Sequence, residues 1–261
     1  SGEWADLEQA QEAPERRYDP GQLLGQGGMG TVVRAWDPVL RREVALKRLR
    51  ATSPALRRRL EREARITAVL DHPNIVPVFD AGVDEQGEPW YTMRIVRGQT
   101  LRSAIQARPG LPERLSLVRA LLASAHATAH AHKLGIIHRD LKPDNIMLGA
   151  HGEVQVADWG LATPLRSAGA EWQPVLTGTA VTVAGTVIGS PHYMSPEAAS
   201  GEAPSVSMDI WSLGVCLYEL LTGKTPYQGD TPESVLTQVL SRPIPSIPSP
   251  EVPAELAAVV L

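Results

Sequence analysis

The chain has one cysteine in 261 residues, Cys216, so no intrachain disulfide can form and a reducing compartment is expected. Cys216 sits inside the run Ile210-Trp211-Ser212-Leu213-Gly214-Val215-Cys216-Leu217, where it reads as a small buried hydrophobe. A basic excess is missing too: 25 Lys and Arg stand against 29 Asp and Glu, a net charge of −4. That balance argues against nucleic acid or an anionic membrane as the dominant partner. No run approaches the roughly 18 apolar residues of a membrane-spanning helix. The stretch Ser1-Gly2-Glu3-Trp4 also lacks the basic-then-apolar pattern of a signal peptide. The expectation is a cytoplasmic segment without membrane contact of its own; an anchor would lie elsewhere in a longer protein. What the chain does have is 43% hydrophobic residues, enough for one large core or two modest ones.

The chemistry concentrates in His138-Arg139-Asp140-Leu141-Lys142-Pro143-Asp144-Asn145, between an apolar helical pattern and the short run Ile146-Met147-Leu148. On a loop stiffened by Pro143, a carboxylate, a lysine and a carboxamide can converge on one phosphate group. Asp140 can take a proton from a hydroxyl, Lys142 can neutralise phosphate charge, and Asn145 can offer an amide oxygen to a divalent metal. Taken alone, the same residues could form an ordinary turn between helix and strand.

Residues 1–17 carry many charges and little apolar periodicity and read as a poorly ordered leader. Strand-like segments follow at Gln22-Leu23-Leu24, Thr31-Val32-Val33-Arg34-Ala35 and Glu43 to Leu49, which make an antiparallel sheet. Between the first two lies Gly25-Gln26-Gly27-Gly28-Met29-Gly30. A dinucleotide site would need a helix to open at these glycines. The β-branched Thr31-Val32-Val33 favours a strand instead, so the segment reads as a hairpin whose backbone amides can close over phosphates. In the third strand, alternation puts Ala45, Lys47 and Leu49 on one face, leaving an ammonium among apolar neighbours that needs a partner or a route to water. The helix from Ser53-Pro54 to Leu70 offers one. Leu56, Leu60, Thr67 and Leu70 fall on one stripe, and Glu63 sits in its middle. Arg57, Arg58, Arg59, Arg62 and Arg65, interleaved with glutamates, read as a solvated face rather than a nucleic-acid patch. Ile75 to Ala81 and Pro89 to Val96 flank an Asp84-to-Gly87 turn as two further strands.

Further on, Leu115, Val118, Leu122, Ala125 and Ala129 trace an apolar stripe through a helix from about Pro112 to Leu134. His126 and His130 have the i,i+4 spacing of zinc ligands, but with no third ligand placed nearby they read as helix-surface histidines. Glu153 to Ala157 is strand-like and delivers Asp158-Trp159-Gly160. The long polar, Gly/Ala/Thr-rich stretch from Leu161 to Met194 has the character of a functional loop, and it ends at Ser195-Pro196-Glu197. Asp209-Ile210-Trp211 opens a helix that is apolar nearly all round, a buried post, and Thr231 to Leu240 forms another helix. Pro243, Pro245, Pro248, Pro250 and Pro253 space a stiff surface connector; a polyproline docking motif is the competing reading.

These motifs, in this order over residues 18–261, resemble the protein kinase family. The loop 138–145 is similar to its H-R-D-L-x-x-x-N, and Lys142-Pro143 resembles the serine/threonine branch. Gly27-Gly28-Met29-Gly30 and Ser195-Pro196-Glu197 look like the bacterial members. The resemblance implies an α+β, two-lobed fold. Residues 18–96 would form a small antiparallel-sheet lobe with one main helix, which binds nucleotide; residues 97–261 would form a larger, mostly helical lobe for catalysis and substrate binding. The second lobe stops short of a family segment whose arginine pairs with the glutamate at Glu197. The resemblance also implies ATP with Mg²⁺, or Mn²⁺ in its place, between the lobes, and transfer of the γ-phosphoryl to Ser or Thr hydroxyls of proteins. Autophosphorylation, with a dimer formed through the smaller lobe, belongs to the same expectation.

By this resemblance Gly25, Gln26, Gly27, Gly28, Met29 and Gly30 cover the phosphates, and Val32 and Ala45 join the nucleotide site. Met93 guards the back of the adenine pocket, Arg94-Ile95-Val96 form the hinge, and Met147 and Ala157 line the floor. Lys47 paired with Glu63 fixes phosphates, Asp140 and Lys142 serve the transfer, and Asn145 and Asp158 hold the metal. Asp209 braces the catalytic loop through backbone amides. Replacing Lys47 by Met is expected to abolish transfer with little effect on folding, since the stem length is kept. Four departures motivate a rival reading as a nucleotide-binding pseudokinase scaffold: Trp159 for the family's Phe, Thr67 for an apolar residue, Arg94 for a frequent acid, and the missing arginine. A small-molecule kinase is disfavoured by the long segment before Ser195-Pro196-Glu197. That segment is rich in hydroxyls and poor in acids, and Arg139 adjoins Asp140, so phosphorylation at Thr182 or Thr186 is the expected switch. Ser190 matches the family's hydroxyl that faces substrate and the catalytic Asp.

Overall fold

Segments rich in β-branched and apolar residues, joined by tight turns, form β1 (Asp19–Gln26), β2 (Gly30–Asp37), β3 (Arg42–Leu49), β4 (Val78–Val83) and β5 (Pro89–Met93). They pair in one antiparallel sheet of order β1-β2-β3-β5-β4. This is a computed structural model, in which residues 17–27, 30–50, 53–165, 189–247 and 252–260 are described. The chain divides into two units: the first runs to Asp71 and resumes over Val76–Val96, and the second is His72–Ile75 with Arg97 onward.

In the first unit, register decides which residues share a face. Ala35 lies opposite Val44, Val33 opposite Leu46, and Leu46 opposite Thr92; with Tyr18 and Trp90 they build one core face. Val32 lies opposite Lys47, Lys47 opposite Tyr91 and Ala45 opposite Met93, so these residues share the other face. Helix α1 (Pro54–Val69) packs there, through Leu60 and Ala64 against Tyr91, Leu49 and Met93. It starts where Ser53 Oγ accepts from the Leu56 N–H at 3.3 Å, with Pro54 in the first turn.

Two strands are shorter than expected, since β4 begins at Val78 and β5 ends at Met93. Ile75 is drawn away by the second unit. It bridges Val156, the Val156 N–H donates to the Asn74 carbonyl at 2.8 Å, and Asn74 Nδ2 donates to the Val154 carbonyl at 2.9 Å.

The second unit is mostly helical: α2 (Leu101–Gln106), α3 (Leu111–Leu115), α4 (Val118–Lys133), α5 (Pro196–Ala199), α6 (Val206–Thr222), α7 (Pro232–Ser241) and α8 (Ala254–Val260). A ladder of β6 (Gly98–Thr100), β8 (Ile146–Gly149) and β9 (Val154–Val156) and a short pair, β7 (Ile136–Ile137) with β10 (Thr163–Pro164), complete it. The buried post is α6, whose Val215, Cys216 and Leu220 pack with Leu101, Ala104, Leu117 and Ile146. Burial pushes the Cys216 thiol well up, which keeps it an inert hydrophobe. At the end of α6, Gly223 takes a left-handed φ of +80°, and its N–H donates to the Glu219 carbonyl at 2.7 Å. Together the units make an α+β fold, a sheet with one main helix followed by a helical body.

The single helix expected over 112–134 is two helices. Arg114, nearly buried, donates to the carbonyls of Leu220 and Leu221 at the end of α6 and to those of Arg108 and Pro109, so α3 is anchored on its own. The Ser116 hydroxyl donates to the Glu113 carbonyl at 2.6 Å, and the chain restarts at Val118. The expected stripe is also displaced: Leu122 is 57% exposed, while Leu117, Ala120, Leu121, Ser124, Ala127, Thr128 and Ala131 face inward. So many of these positions are alanine that the periodicity is nearly flat. The two inward hydroxyls are satisfied locally, Ser124 on the Ala120 carbonyl (2.9 Å) and Thr128 on the Ser124 carbonyl (2.8 Å). No helix among the described residues is long and apolar enough to cross a membrane.

Candidate active site

The first unit supplies a buried ion pair. Lys47 Nζ, on β3, donates to Glu63 Oε1, on α1, at 2.5 Å; the Glu63 side chain is 0% exposed and that of Lys47 10%. The Tyr91 hydroxyl donates to the same Oε1 at 2.7 Å, and Lys47 Nζ stands 5.9 Å from the centre of the Tyr91 ring. Removing two ions from water costs several kcal/mol each, so the pair persists only because the geometry is close and additional hydrogen bonds are made. Thr67, polar where an apolar residue was expected, donates its hydroxyl to the Glu63 carbonyl at 2.8 Å and so adds no unmet group to the inward face. Tyr91 was not foreseen. Its alternation within β5 and its place opposite Lys47 are the signals that could have found it.

Val32, Ala45 and Met93 share the Lys47 face by register. Gly25, Gln26 and Gly27 stand at the β1–β2 turn, where the Gly27 N–H donates to the Gly30 carbonyl at 2.9 Å. Gly30 must lack a side chain because a Cβ would lie 2.1 Å from the Arg48 carbonyl oxygen. Gly28 and Met29 lie outside the described residues. Arg94, Ile95 and Val96 follow β5 as irregular chain, with the Arg94 N–H donating to the Pro77 carbonyl at 3.2 Å.

The second unit holds the loop 138–145 from below. Asp209, fully buried on α6, accepts the Arg139 N–H at Oδ1 (2.8 Å) and the His138 N–H at Oδ2 (2.9 Å). These charge-assisted bonds offset the left-handed φ of +69° at Arg139, a conformation that costs a non-glycine residue about 1–3 kcal/mol. His132 Nε2 meets Asp209 Oδ2 at 2.8 Å; sequence reasoning missed this residue, because nothing in the pattern of α4 marks it. Buried His138 accepts the Asp140 N–H at Nδ1 (3.3 Å), so its Nε2–H is the donor to the Ala157 carbonyl at 3.2 Å. The Trp159 ring, 1% exposed, packs 4.5 Å from the imidazole.

On this support three predicted residues converge. Lys142 Nζ donates to Asp140 Oδ2 at 2.8 Å and to Ser190 Oγ at 2.7 Å. Asn145 Nδ2 donates to the Asp140 carbonyl at 2.8 Å and to Asp140 Oδ2 at 3.3 Å. Asp140 Oδ1 is buried and accepts no hydrogen bond from the described residues, so its lone pairs can receive a proton. With its nitrogen engaged, the Asn145 amide directs its oxygen as a hard donor, and the Ala157 N–H donates to the Asn145 backbone carbonyl at 2.9 Å, one residue before Asp158. Asp158 is exposed with φ +60°. Met147 and Ala157, half-buried, lie on β8 and just beyond β9.

Among the described residues no group of three or more His, Cys, Asp or Glu could hold a metal. An amide oxygen and a carboxylate suit a cation such as Mg²⁺, which takes one or two protein oxygens and completes its shell with water and phosphate. The residues present fit that group. Thr182 and Thr186 lie outside the described residues.

The model of the protein kinase domain matches residues 18–256. The chain is 40% identical over 263 residues to a probable serine/threonine-protein kinase of Streptomyces coelicolor, covering 96% of this chain and 37% of that protein. It is 41% identical over 254 residues to the serine/threonine-protein kinase PknB of Mycobacterium tuberculosis, covering 94% and 39%. With the serine/threonine-protein kinase PrkC of Bacillus subtilis it shares 38% over 253 residues, covering 94% and 37%. The chain thus spans well under half the length of these relatives.

Proposed function

The chain belongs to the protein kinase domain family, and on that premise we propose that it transfers the γ-phosphoryl of ATP to Ser or Thr hydroxyls of protein substrates. The observation that carries this reading is Asp140, whose Oδ2 is held by Lys142 and Asn145 while Oδ1 keeps its lone pairs. Oδ1 takes the proton of the incoming hydroxyl, and Lys142 neutralises charge on the phosphoryl in transit. Residues 18–96 act as the nucleotide-binding part, with Lys47 on phosphate oxygens and Val32, Ala45, Met93, Arg94, Ile95 and Val96 around the adenine. Residues 97–261 act as the catalytic and substrate-binding part, with Met147 and Ala157 as the adenine floor. Asn145 and Asp158 would hold Mg²⁺, or Mn²⁺ in its place, which neutralises phosphate charge when bound. We propose the cytoplasm, where ATP is abundant, as the place of the reaction.

Incubation with labelled Mg²⁺-ATP and a Ser/Thr peptide should show transfer that an Asp140→Asn variant loses by about 10²–10⁴-fold, the range for a lost general base. Equal label in parent and variant would sink the assignment. We further propose Thr182 and Thr186 as activating sites, modified between two copies that meet through residues 18–96. A phosphate adds about −1.5 to −2 charge, enough to order a loop against cations such as Arg139. Thr182→Ala with Thr186→Ala should lower activity at least about tenfold, and autophosphorylation should accelerate with protein concentration. A double variant as active as the parent overturns the switch.

A further inference from the structure

Arg102, near the start of α2, belongs to none of the motifs above, yet it joins three separate parts of the second unit. Its Nε (3.3 Å) and Nη2 (3.0 Å) donate to Asp144 Oδ2, its Nη1 to Glu219 Oε1 on α6, and its Nη2 to the Tyr193 hydroxyl. Tyr193 in turn donates to Glu219 Oε2 at 2.5 Å, and both are buried. Burial pushes the Glu219 carboxyl up, while the Tyr193 hydrogen bond and the Arg102 charge pull it back.

Two of the three partners of Arg102 lead to the transfer site. Asp144 precedes Asn145, whose amide holds Asp140. Tyr193 ends the short 3₁₀ turn Pro191–Tyr193 that follows Ser190, whose hydroxyl accepts from Lys142. The Tyr193 carbonyl accepts from the Ser212 hydroxyl of α6 at 2.8 Å, so that turn is seated on the same helix as Glu219. A planar guanidinium presents its donors at fixed angles, which a flexible ammonium does not.

We propose that Arg102 is a positioning residue for phosphoryl transfer, tying the Asp144-Asn145 end of the catalytic loop and the Ser190-to-Tyr193 segment to one post, Glu219. The inference rests on the kinase reading. A simple counter-ion role for the buried Glu219 carboxylate would need only a positive charge, or no carboxylate at all. Arg102→Lys keeps the charge and removes the fork, while Arg102→Ala with Glu219→Gln removes both charges.

Both variants should melt within a few degrees of the parent, while amide hydrogen exchange at 142–147 and 189–194 accelerates about tenfold or more. Turnover of a Ser/Thr peptide should fall about tenfold and its KM rise, with KM for ATP unchanged, as expected for a misplaced acceptor rather than a lost nucleotide contact. Parent-like exchange and turnover in both variants would overturn the proposal and leave Arg102 as a counter-ion. A parent that transfers nothing, with exchange accelerated in both segments of the variants, would sink the kinase reading and leave the mechanical tie standing.

Discussion

The two sets of polar groups in this chain are built on opposite principles. Lys47, Glu63 and Tyr91 sit on a strand, a helix and a second strand, each in regular backbone, and the charges are held by direct contact at 2.5 and 2.7 Å inside a packed face. Asp140 and Lys142 sit on irregular chain and Asn145 ends the short 3₁₀ turn Pro143–Asn145, and their places are set by groups remote in sequence: Asp209 beneath His138 and Arg139, and Ser190 beside Lys142. In the first set, periodicity aims the side chains and burial holds them. In the second, the backbone must be held before the side chains can be aimed. The first should therefore fail through stability as well as chemistry, the second through geometry.

The largest effect should come from Lys47→Met. The sequence-based expectation of little effect on folding does not survive the burial of Glu63, because the variant withdraws an ammonium from direct contact with a fully enclosed carboxylate. Breaking one side of a buried pair costs about 3–5 kcal/mol, so the melting temperature should drop with activity. Adding Glu63→Gln should restore most of the stability and none of the transfer. A single variant that melts with the parent would show that Glu63 finds another arrangement, and the contrast between the two sets would weaken.

Asp209→Asn tests the second set. The amide keeps the volume but turns one acceptor into a donor facing a backbone N–H, leaving a buried group unmet at a cost of about 1–3 kcal/mol. Turnover should fall by more than this loss of stability explains, with exchange of the His138 and Arg139 amides as the direct readout. If those amides stay protected and the rate is unchanged, the loop holds itself and the brace is redundant.

The smallest effect belongs to Trp159→Phe. The indole is 1% exposed, its Nε1 has no hydrogen-bond partner among the described residues, and it packs on His138. Phe removes the unmet donor and leaves a modest void, so the net change should stay under about 1.5 kcal/mol and activity within tenfold of the parent. A larger loss would mean that the His138 ring, and through it the Asp140 backbone, depends on the full indole.

What could be read from the residues follows the same division. Regular alternation was enough to place Lys47 on an inward face and the helical stripe enough to place Glu63, because both periods are properties of local backbone and survive in one dimension. Of the loop, the chemical types were legible and their supports mostly were not. Asp209 was anticipated through the family resemblance, while His132 and Arg102 carry no local signature. Pattern reading failed on α4, where alanine-rich sequence makes every face look alike and two buried hydroxyls pass for surface, and on Ile75, which a neighbouring strand edge captures.

Composition and spacing thus settled that this is a chain of sheet followed by helices without an intrachain disulfide, with a carboxylate, an ammonium and a carboxamide on one loop, a second ammonium among apolar strand neighbours and a carboxylate on a helix stripe. Tertiary structure alone decided which oxygen of Asp140 keeps its lone pairs, which tautomer His138 adopts and which arginine ties Asp144 to Tyr193. The physical reason is range. Side-chain direction within a strand or helix is set by neighbours a few residues away. A hydrogen bond such as that between Arg102 and Glu219, 117 positions apart, exists only after the chain between them has folded.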